Sequence, residues 1–305
     1  MALFTVNFQT LALHHPVPIQ VILPTDHMVM TTQHLPEATK NKPYKTVYVL
    51  EGVNGNYEGP CKYSRLAGLA EDYNVAVVVI GGDNKWWGNS ETSGDNYGKL
   101  VARDVVRFTR RAFNLSDKRE DTTIMGFSMG GYGAFVIGFR DPEIFGNVIA
   151  LEPAMNREPI MEAPDIPTWD LFTRTQYNTM FGIGDVHTDY ENSENDYKYL
   201  AKTVMDKGLQ QKIYVMNGLE SHMLGASNPF VDYLKEIGFA DVTYEETHGE
   251  HSFACCDAGY EMAFNWLIDK EDTFAGNFTY VMPGSKSTGD NFAKWTTWYN
   301  VEAES

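Results

Sequence analysis

The sequence predicts an α/β fold, a mostly parallel twisted sheet flanked by helices. Two observations carry this. Short, continuous Val/Ile/Leu runs are closed by glycines, as in strands buried on both faces. Helical apolar stripes separate these runs, so the chain alternates strand and helix, the pattern of βαβ crossovers. In chain order, Phe4–Leu13 and Gln20–Leu23 read as an antiparallel edge feeding the sheet. Val47–Leu50 is closed by Glu51-Gly52, and Val75–Ile80 by Gly81-Gly82. Leu100, Val101, Val105 and Phe108 form a helical stripe before the run Thr122–Met125. Tyr132–Phe139 reads as a buried helix, followed by the run Val148–Leu151. Lys212–Met216 and Val242–Glu245 complete the strands, with helical stripes at Phe230, Leu234 and Ile237 and over Tyr260–Ile268.

Two stretches break the rhythm. Residues 152–192, rich in Pro, Asp, Asn and aromatics such as Trp169, Phe172, Tyr177 and Phe181, read as a cap inserted after the fourth strand of the parallel core. Residues 269–305 are polar, aromatic and punctuated by Gly and Pro, and read as a C-terminal extension to a domain spanning 1–268.

The chain has 305 residues, long enough for a full core, and its 43% hydrophobic and 13% aromatic content excludes a disordered polymer. Lys and Arg total 24 against 41 Asp and Glu, a net charge of −17. That balance argues against nucleic acid or an anionic membrane as the main partner. The 3 cysteines, Cys61, Cys255 and Cys256, make no disulfide framework and point to a reducing compartment. The N-terminus lacks the basic and apolar regions of a signal peptide, so the expected location is cytoplasmic, although a removed signal would leave no trace. No apolar run is long enough to span a bilayer. Self-association stays open.

The chemistry is concentrated at Gly126-Phe127-Ser128-Met129-Gly130, a G-x-S-x-G sequence between a strand and a helix. A serine raised on so sharp a turn needs small neighbours two residues to either side. The N–H of Met129 then faces a developing oxyanion, and the helix N-terminus adds partial positive charge. Serine also needs a general base. Among 8 histidines, the chain order Ser–acid–His selects the region after the last strand, His248 or His251. His251 lies on the loop before the final helix and fits better. His248-x-x-His251 has no further ligands close in sequence, so no metal site is expected. The third member should follow the fifth parallel-core strand, where Glu220 is the carboxylate of the loop. Its task would be to orient His251 and stabilise the imidazolium.

Gly126-Phe-Ser-Met-Gly-Gly-Tyr-Gly-Ala134 resembles the elbow of the esterase D / tributyrin esterase family of α/β-hydrolases, relatives of S-formylglutathione hydrolase and of feruloyl and acetyl xylan esterases. Tyr48–Asn56 resembles that family's oxyanion loop, and Gly238–His251 its approach to the catalytic histidine. The resemblance covers roughly residues 1–268. It implies an α/β-hydrolase fold, hydrolysis of short-chain acyl esters (acetyl or feruloyl carbohydrate esters among them) and no cofactor. Carried over by position, Ser128 is the nucleophile and His251 the base, with the N–H groups of Met129 and Val53 forming the oxyanion hole. The sequence departs from the family at two points. Ser221 stands where the family carries its aspartate, with Glu220 one residue earlier. Glu51 stands where the family's oxyanion loop carries histidine, and pairing with Arg103 or Lys85 would neutralise it.

Trp86 and Trp87 follow the second parallel-core strand, at the end of the sheet where open α/β folds bind ligands. They could stack on a sugar or an aromatic acyl group, or pack as core beneath the cap. The leading reading is a serine carboxylesterase acting on a small-molecule or carbohydrate ester through an acyl-enzyme. A non-catalytic hydrolase-fold binding protein, motivated by Glu51 and Ser221, and an acyltransferase using the same serine are the alternatives.

Overall fold

The computed structural model describes residues 1–25, 43–167 and 172–269. Trp169 and the extension read at 269–305, apart from Asp269, lie outside the described residues.

Eight strands form one sheet in the order β1-β2-β4-β3-β5-β6-β7-β8. They are β1 (Ala2–Gln9), β2 (Pro16–Leu23), β3 (Thr46–Leu50), β4 (Ala76–Ile80), β5 (Thr122–Phe127), β6 (Asn147–Leu151), β7 (Lys212–Gly218) and β8 (Val242–Thr247). β1 pairs antiparallel with β2, and β2 antiparallel with β4, as the edge reading expects. From β4 to β8 every pairing is parallel. This is the sheet of an α/β-hydrolase.

Side-chain alternation builds two cores. Tyr48, Leu50, Val78 and Ile80 face one layer, while Val47, Val49, Val77 and Val79 face the other. Both sides of β3, β4 and β6 are therefore buried, which is why their sequences are unbroken apolar runs. Each aliphatic side chain so buried stabilises the fold by roughly 1.5–3 kcal/mol.

The helices are α1 (Gly59–Tyr63), α2 (Leu66–Asp72), α3 (Tyr97–Lys99, Leu100–Val105 and Val106–Ala112, the middle segment a π-turn), α4 (Met129–Arg140), α5 (Arg157–Met161), α6 (Arg174–Phe181), α7 (Val186–Asp189), α8 (Tyr197–Lys207), α9 (Leu224–Glu236) and α10 (Phe253–Leu267). The sequence reading marks helical stripes at α3, α4, α9 and α10; α1, α2 and α5 to α8 have no counterpart in it. At α3 the buried carboxylate of Asp104 accepts from Thr10 Oγ1 (2.6 Å) and from the N–H groups of Leu11 (2.8 Å) and Ala12 (2.9 Å). It ties the turn between β1 and β2 to the helical layer.

The stretch read as a cap carries α5, α6 and α7. Its aromatics close over α4. The Tyr132 hydroxyl donates to the Asn195 carbonyl at 2.7 Å, and the Trp86 ring meets Tyr132, Phe172 and Tyr177 edge to face.

Register brings the site together. Leu50 lies opposite both Ile80 and Gly126, Phe127 opposite Leu151, and Leu151 opposite Met216. The residues just after these strands, Glu51, Gly81, Ser128 and Glu152, therefore share one edge of the sheet. The cleft of about 560 Å³ among Thr46, Asn147 and Lys212 lies at the opposite edge, away from Ser128.

Candidate active site

Ser128 stands on the turn between β5 and α4 with φ 58° and ψ −119°, a sparsely populated conformation for a residue with a side chain. The turn is held because the Ser128 N–H donates to Leu151 O (3.0 Å) and its carbonyl accepts from Gly131 and Ala154 (2.9 and 3.0 Å). The glycines on either side are sterically required. A Cβ on Gly126 would fall 2.1 Å from the Gly130 carbonyl oxygen, and one on Gly130 would fall 2.2 Å from the Leu50 carbonyl oxygen.

His251 sits between β8 and α10, with its Nε2 2.9 Å from Ser128 Oγ. Its ring stacks on Phe127, centroids 4.7 Å apart and planes 16° apart, and meets the His222 ring edge-on at 5.1 Å. The Ser252 hydroxyl caps α10 by accepting from Cys255 N at 3.3 Å, fixing the chain one residue beyond the imidazole.

The carboxylate that meets His251 is Glu152. Its Oε2 lies 3.1 Å from Nδ1, and its side chain is fully buried. Glu152 follows β6 directly, at φ 45°. Its N–H donates to Met216 O at 2.7 Å, and its Oε1 accepts from Gly218 N at 3.0 Å. Burial pushes this carboxyl up. Hydrogen bonds from His251, Ser221 and Gly218, together with the imidazole charge, outweigh burial and hold it below the usual range.

Glu220, expected in that place, does not reach His251. Its Oε1 pairs with His248 Nδ1 at 3.0 Å and its Oε2 accepts from Gly249 N at 2.6 Å. The reason is local. The turn after β7 points Glu220 outward, where it is half exposed, and its carboxylate closes the loop from Thr247 to Gly249. Ser221 is buried and turned toward Glu152. The sequence did carry a signal for Glu152. It is an acid placed immediately after a fully buried parallel strand, in Val148-Ile-Ala-Leu-Glu152, as Glu51 is after β3.

Met129 is the first residue of the 12-residue α4, so its N–H lies at the positive end of the helix. The loop carrying Val53 runs against the nucleophile, since a Cβ on the adjoining Gly52 would fall 3.3 Å from Ser128 Cβ. Trp86 and Trp87 are both buried, 3% and 0% exposed, and belong to the core rather than to an open surface. Trp87 lies against Gly82 and Gly133, where added Cβ atoms would fall within 2.7 and 2.3 Å of its ring. Apolar surface near the serine is offered instead by Val53 (42% exposed) and Phe253 (52%). The Phe253 ring lies 6.2 Å from Phe127 and 5.9 Å from Tyr63.

Glu51 is buried at the root of the loop after β3, and its expected cations are engaged elsewhere. Arg103 pairs with Asp104 (2.8 Å), and Lys85 with Asp95 (2.9 Å). Cys255 and Cys256 are free, buried thiols, and burial pushes Cys255 up to about 11, which leaves it protonated and inert at neutral pH.

A strained serine on an α/β-hydrolase elbow, bonded to a histidine that is bonded to a buried carboxylate, defines the class: a serine hydrolase. The Esterase family model matches residues 12–257, and the chain belongs to that family. It is a carboxylic ester hydrolase. An acetyl esterase of Caldicellulosiruptor saccharolyticus is 30% identical over 272 residues, covering 89% of this chain and all of the relative. Among solved structures, the fluorophosphonate-binding serine hydrolase F of Staphylococcus aureus superposes with TM-score 0.74 at 23% identity, over 88% of this chain and 98% of that one. An S-formylglutathione hydrolase of the same organism gives TM-score 0.73 at 23% identity, over 88% and 99% of the two chains. These two likenesses are of fold. Among the described residues no helix is long and apolar enough to cross a membrane.

Proposed function

We propose that Ser128, His251 and Glu152 are a catalytic triad that hydrolyses short-chain acyl esters, acetyl esters foremost, through an acyl-enzyme. The observation that carries this reading is the unbroken chain Ser128 Oγ–His251 Nε2 (2.9 Å) and His251 Nδ1–Glu152 Oε2 (3.1 Å). His251 takes the Ser128 proton as Oγ attacks the ester carbonyl, then delivers it to the departing alcohol. Glu152, held as a carboxylate, fixes the tautomer that leaves Nε2 free to accept and stabilises the imidazolium. The N–H groups of Met129 and Val53 receive the oxyanion. A single such donor is worth about 10²–10³ in turnover. Water, activated by the same imidazole, then releases the acid.

The acetyl preference is supported by the acetyl esterase to which the chain is 30% identical. The exposed Phe253 and Val53 give the substrate an apolar rim. Glu152 supplies the carboxylate whose apparent loss after β7 motivated a non-catalytic role, so the geometry favours turnover.

The test is hydrolysis of p-nitrophenyl acetate and butyrate at neutral pH, with Ser128→Ala as the blank and fluorophosphonate labelling in parallel. Turnover and labelling that both depend on Ser128, with acetate preferred, are expected. Wild-type rates equal to the blank and no labelling would sink the reading. Added alcohol acceptors that shift product from acid to new ester would assign an acyltransferase instead.

A further inference from the structure

We propose that Glu51 is a positioning residue of the oxyanion loop, and that it performs this role as a protonated, neutral acid. The inference rests on the esterase reading above and deepens it.

Three hydrogen bonds tie the loop after β3 to the loop after β4. Glu51 Oε1 accepts from Gly82 N at 2.7 Å, Asn54 N donates to Asn84 Oδ1 at 2.7 Å, and Asn84 Nδ2 donates to Asn54 Oδ1 at 3.1 Å. Glu51 is the buried member of this clasp, 3% exposed. Its chain also touches the nucleophile helix, since a Cβ on Gly130 would fall 2.7 Å from the Glu51 carbonyl oxygen. Val53, whose N–H the mechanism uses, is two residues on. Glu51 thus links the two sides of the hole, the loop and the first turn of α4.

The surroundings disfavour a charge on it. Among the described residues Oε2, which is buried, makes no hydrogen bond. It is wedged against Gly55, where a Cβ would fall 2.4 Å away. No cation meets the carboxyl among the described residues. From the loop after β4 it faces Asp83, itself an acid. From the start of α3 it faces Tyr97, whose hydroxyl donates to Asp83 Oδ2 at 2.6 Å. Lys85, the cation of that loop, is held by Asp95. The neighbouring Gly55 and Gly130 carry no charge. A carboxylate here would be a buried, unpaired charge beside a second acid, which is costly. It would also oppose the negative charge that the reaction places on the carbonyl oxygen. Burial pushes Glu51 up to about 7, with Asp83 adding to the rise and the N–H groups of Gly82, Asp83 and Gly55 opposing it. Protonation is therefore complete in mildly acidic solution and lost as the pH passes neutrality.

Two measurements compare wild type with Glu51→Gln, which keeps the shape and the acceptor for Gly82 but cannot ionise. The first is the pH profile of kcat/KM for p-nitrophenyl acetate from pH 5 to 9. Relative to Glu51→Gln, wild type should lose activity above neutrality, on the order of tenfold. Glu51→Ala, which strands the Gly82 N–H, should lower kcat with little change in KM. The second is the thermal midpoint as a function of pH, which needs no turnover. A carboxyl raised in the folded state stabilises it fully below the unfolded value, and that contribution disappears as the pH rises through the folded value. The wild-type midpoint should therefore fall against that of Glu51→Gln between about pH 4.5 and 7, then run parallel. Profiles that superimpose in both measurements overturn the proposal. Absent turnover in wild type would remove the esterase reading, and the thermal midpoints would then decide the protonation of Glu51 alone.

Discussion

Across the imidazole from Ser128, Oε2 of Glu152 lies 3.1 Å from Nδ1 of His251, joining the turn after β6 to the loop after β8. The strand between them, β7, supplies the backbone N–H of Gly218 that fixes the other carboxylate oxygen. Removing the carboxylate should therefore strike catalysis directly. Glu152→Ala or Glu152→Gln should lower kcat by about 10⁴, the cost of a lost triad acid. Glu220→Ala should leave kcat within about threefold, because that carboxylate only braces His248 and Gly249. Steady-state hydrolysis of p-nitrophenyl acetate by the two variants separates them. A larger loss from Glu220→Ala than from Glu152→Ala would reverse the assignment.

Glu152 should also leave a signature in stability against pH. Its carboxyl lies below its ordinary value of 4.5 in the folded protein. The unfolded chain therefore binds its proton first as the pH falls. The contribution is fully present above about 4.5 and is lost as the pH falls through the folded value. Urea midpoints of wild type and Glu152→Gln between pH 3.5 and 7 should thus differ by a constant amount near neutrality. Wild type should lose ground to the variant in acid. A difference that does not change with pH would show that the hydrogen bonds from His251, Ser221 and Gly218 do not hold the group ionised.

Trp87 is packed, and its substitution should be read in stability rather than in substrate affinity. It is fully buried, and the glycine at 133 makes room for its ring. Trp87→Ala should cost about 3–5 kcal/mol of unfolding free energy, the range for emptying a large aromatic site. KM for p-nitrophenyl acetate in the folded fraction should change less than about twofold. Phe253→Ala, on the exposed rim, should do the converse, raising KM with little loss of stability. Denaturant titration and KM measured on the same preparations check both.

Most of the fold was legible because burial on both sides writes itself into composition. Val47–Leu50, Val75–Ile80 and Val148–Leu151 leave no polar position for solvent, and all three lie in sheet strands, Val75 alone just outside its strand. The elbow was legible because steric demand at residues 126 and 130 admits only glycine. The partner of His251 was harder to read. A carboxylate can enter the space behind that ring from the end of β6 or of β7, and the order Ser–acid–His admits Glu152 and Glu220 alike. Glu220 and Glu152 differ in where their turns point them, which depends on the positive φ at Glu152 and the bond from Gly218, neither visible in residue identity. The tryptophans were placed at the correct end of the sheet, but adjacent residues there can face solvent or core, and the pockets left by Gly82 and Gly133 decide for core.

The space behind His251 should accept an acid from either strand end, and this can be built. Ser221 is buried, follows β7, and its hydroxyl, which accepts from Met223 N at 3.1 Å, lies on the Glu152 side of the turn. Ser221→Asp alone places a second carboxylate against the first, and mutual repulsion should lower both activity and stability. In the Glu152→Ala background the repulsion is absent, and the new carboxylate should fill the vacated position facing Nδ1. The double variant should then recover at least about tenfold in kcat/KM over Glu152→Ala, a gain of 1.4 kcal/mol in transition-state stabilisation. It should also restore fluorophosphonate labelling of Ser128 toward the wild-type rate. The coupling between the substitutions is thus expected to be strongly non-additive, as for residues sharing one partner. Activity of the double variant no higher than that of Glu152→Ala would mean that the turn after β7 holds residue 221 out of line with the imidazole, leaving β6 as the one strand end able to serve it.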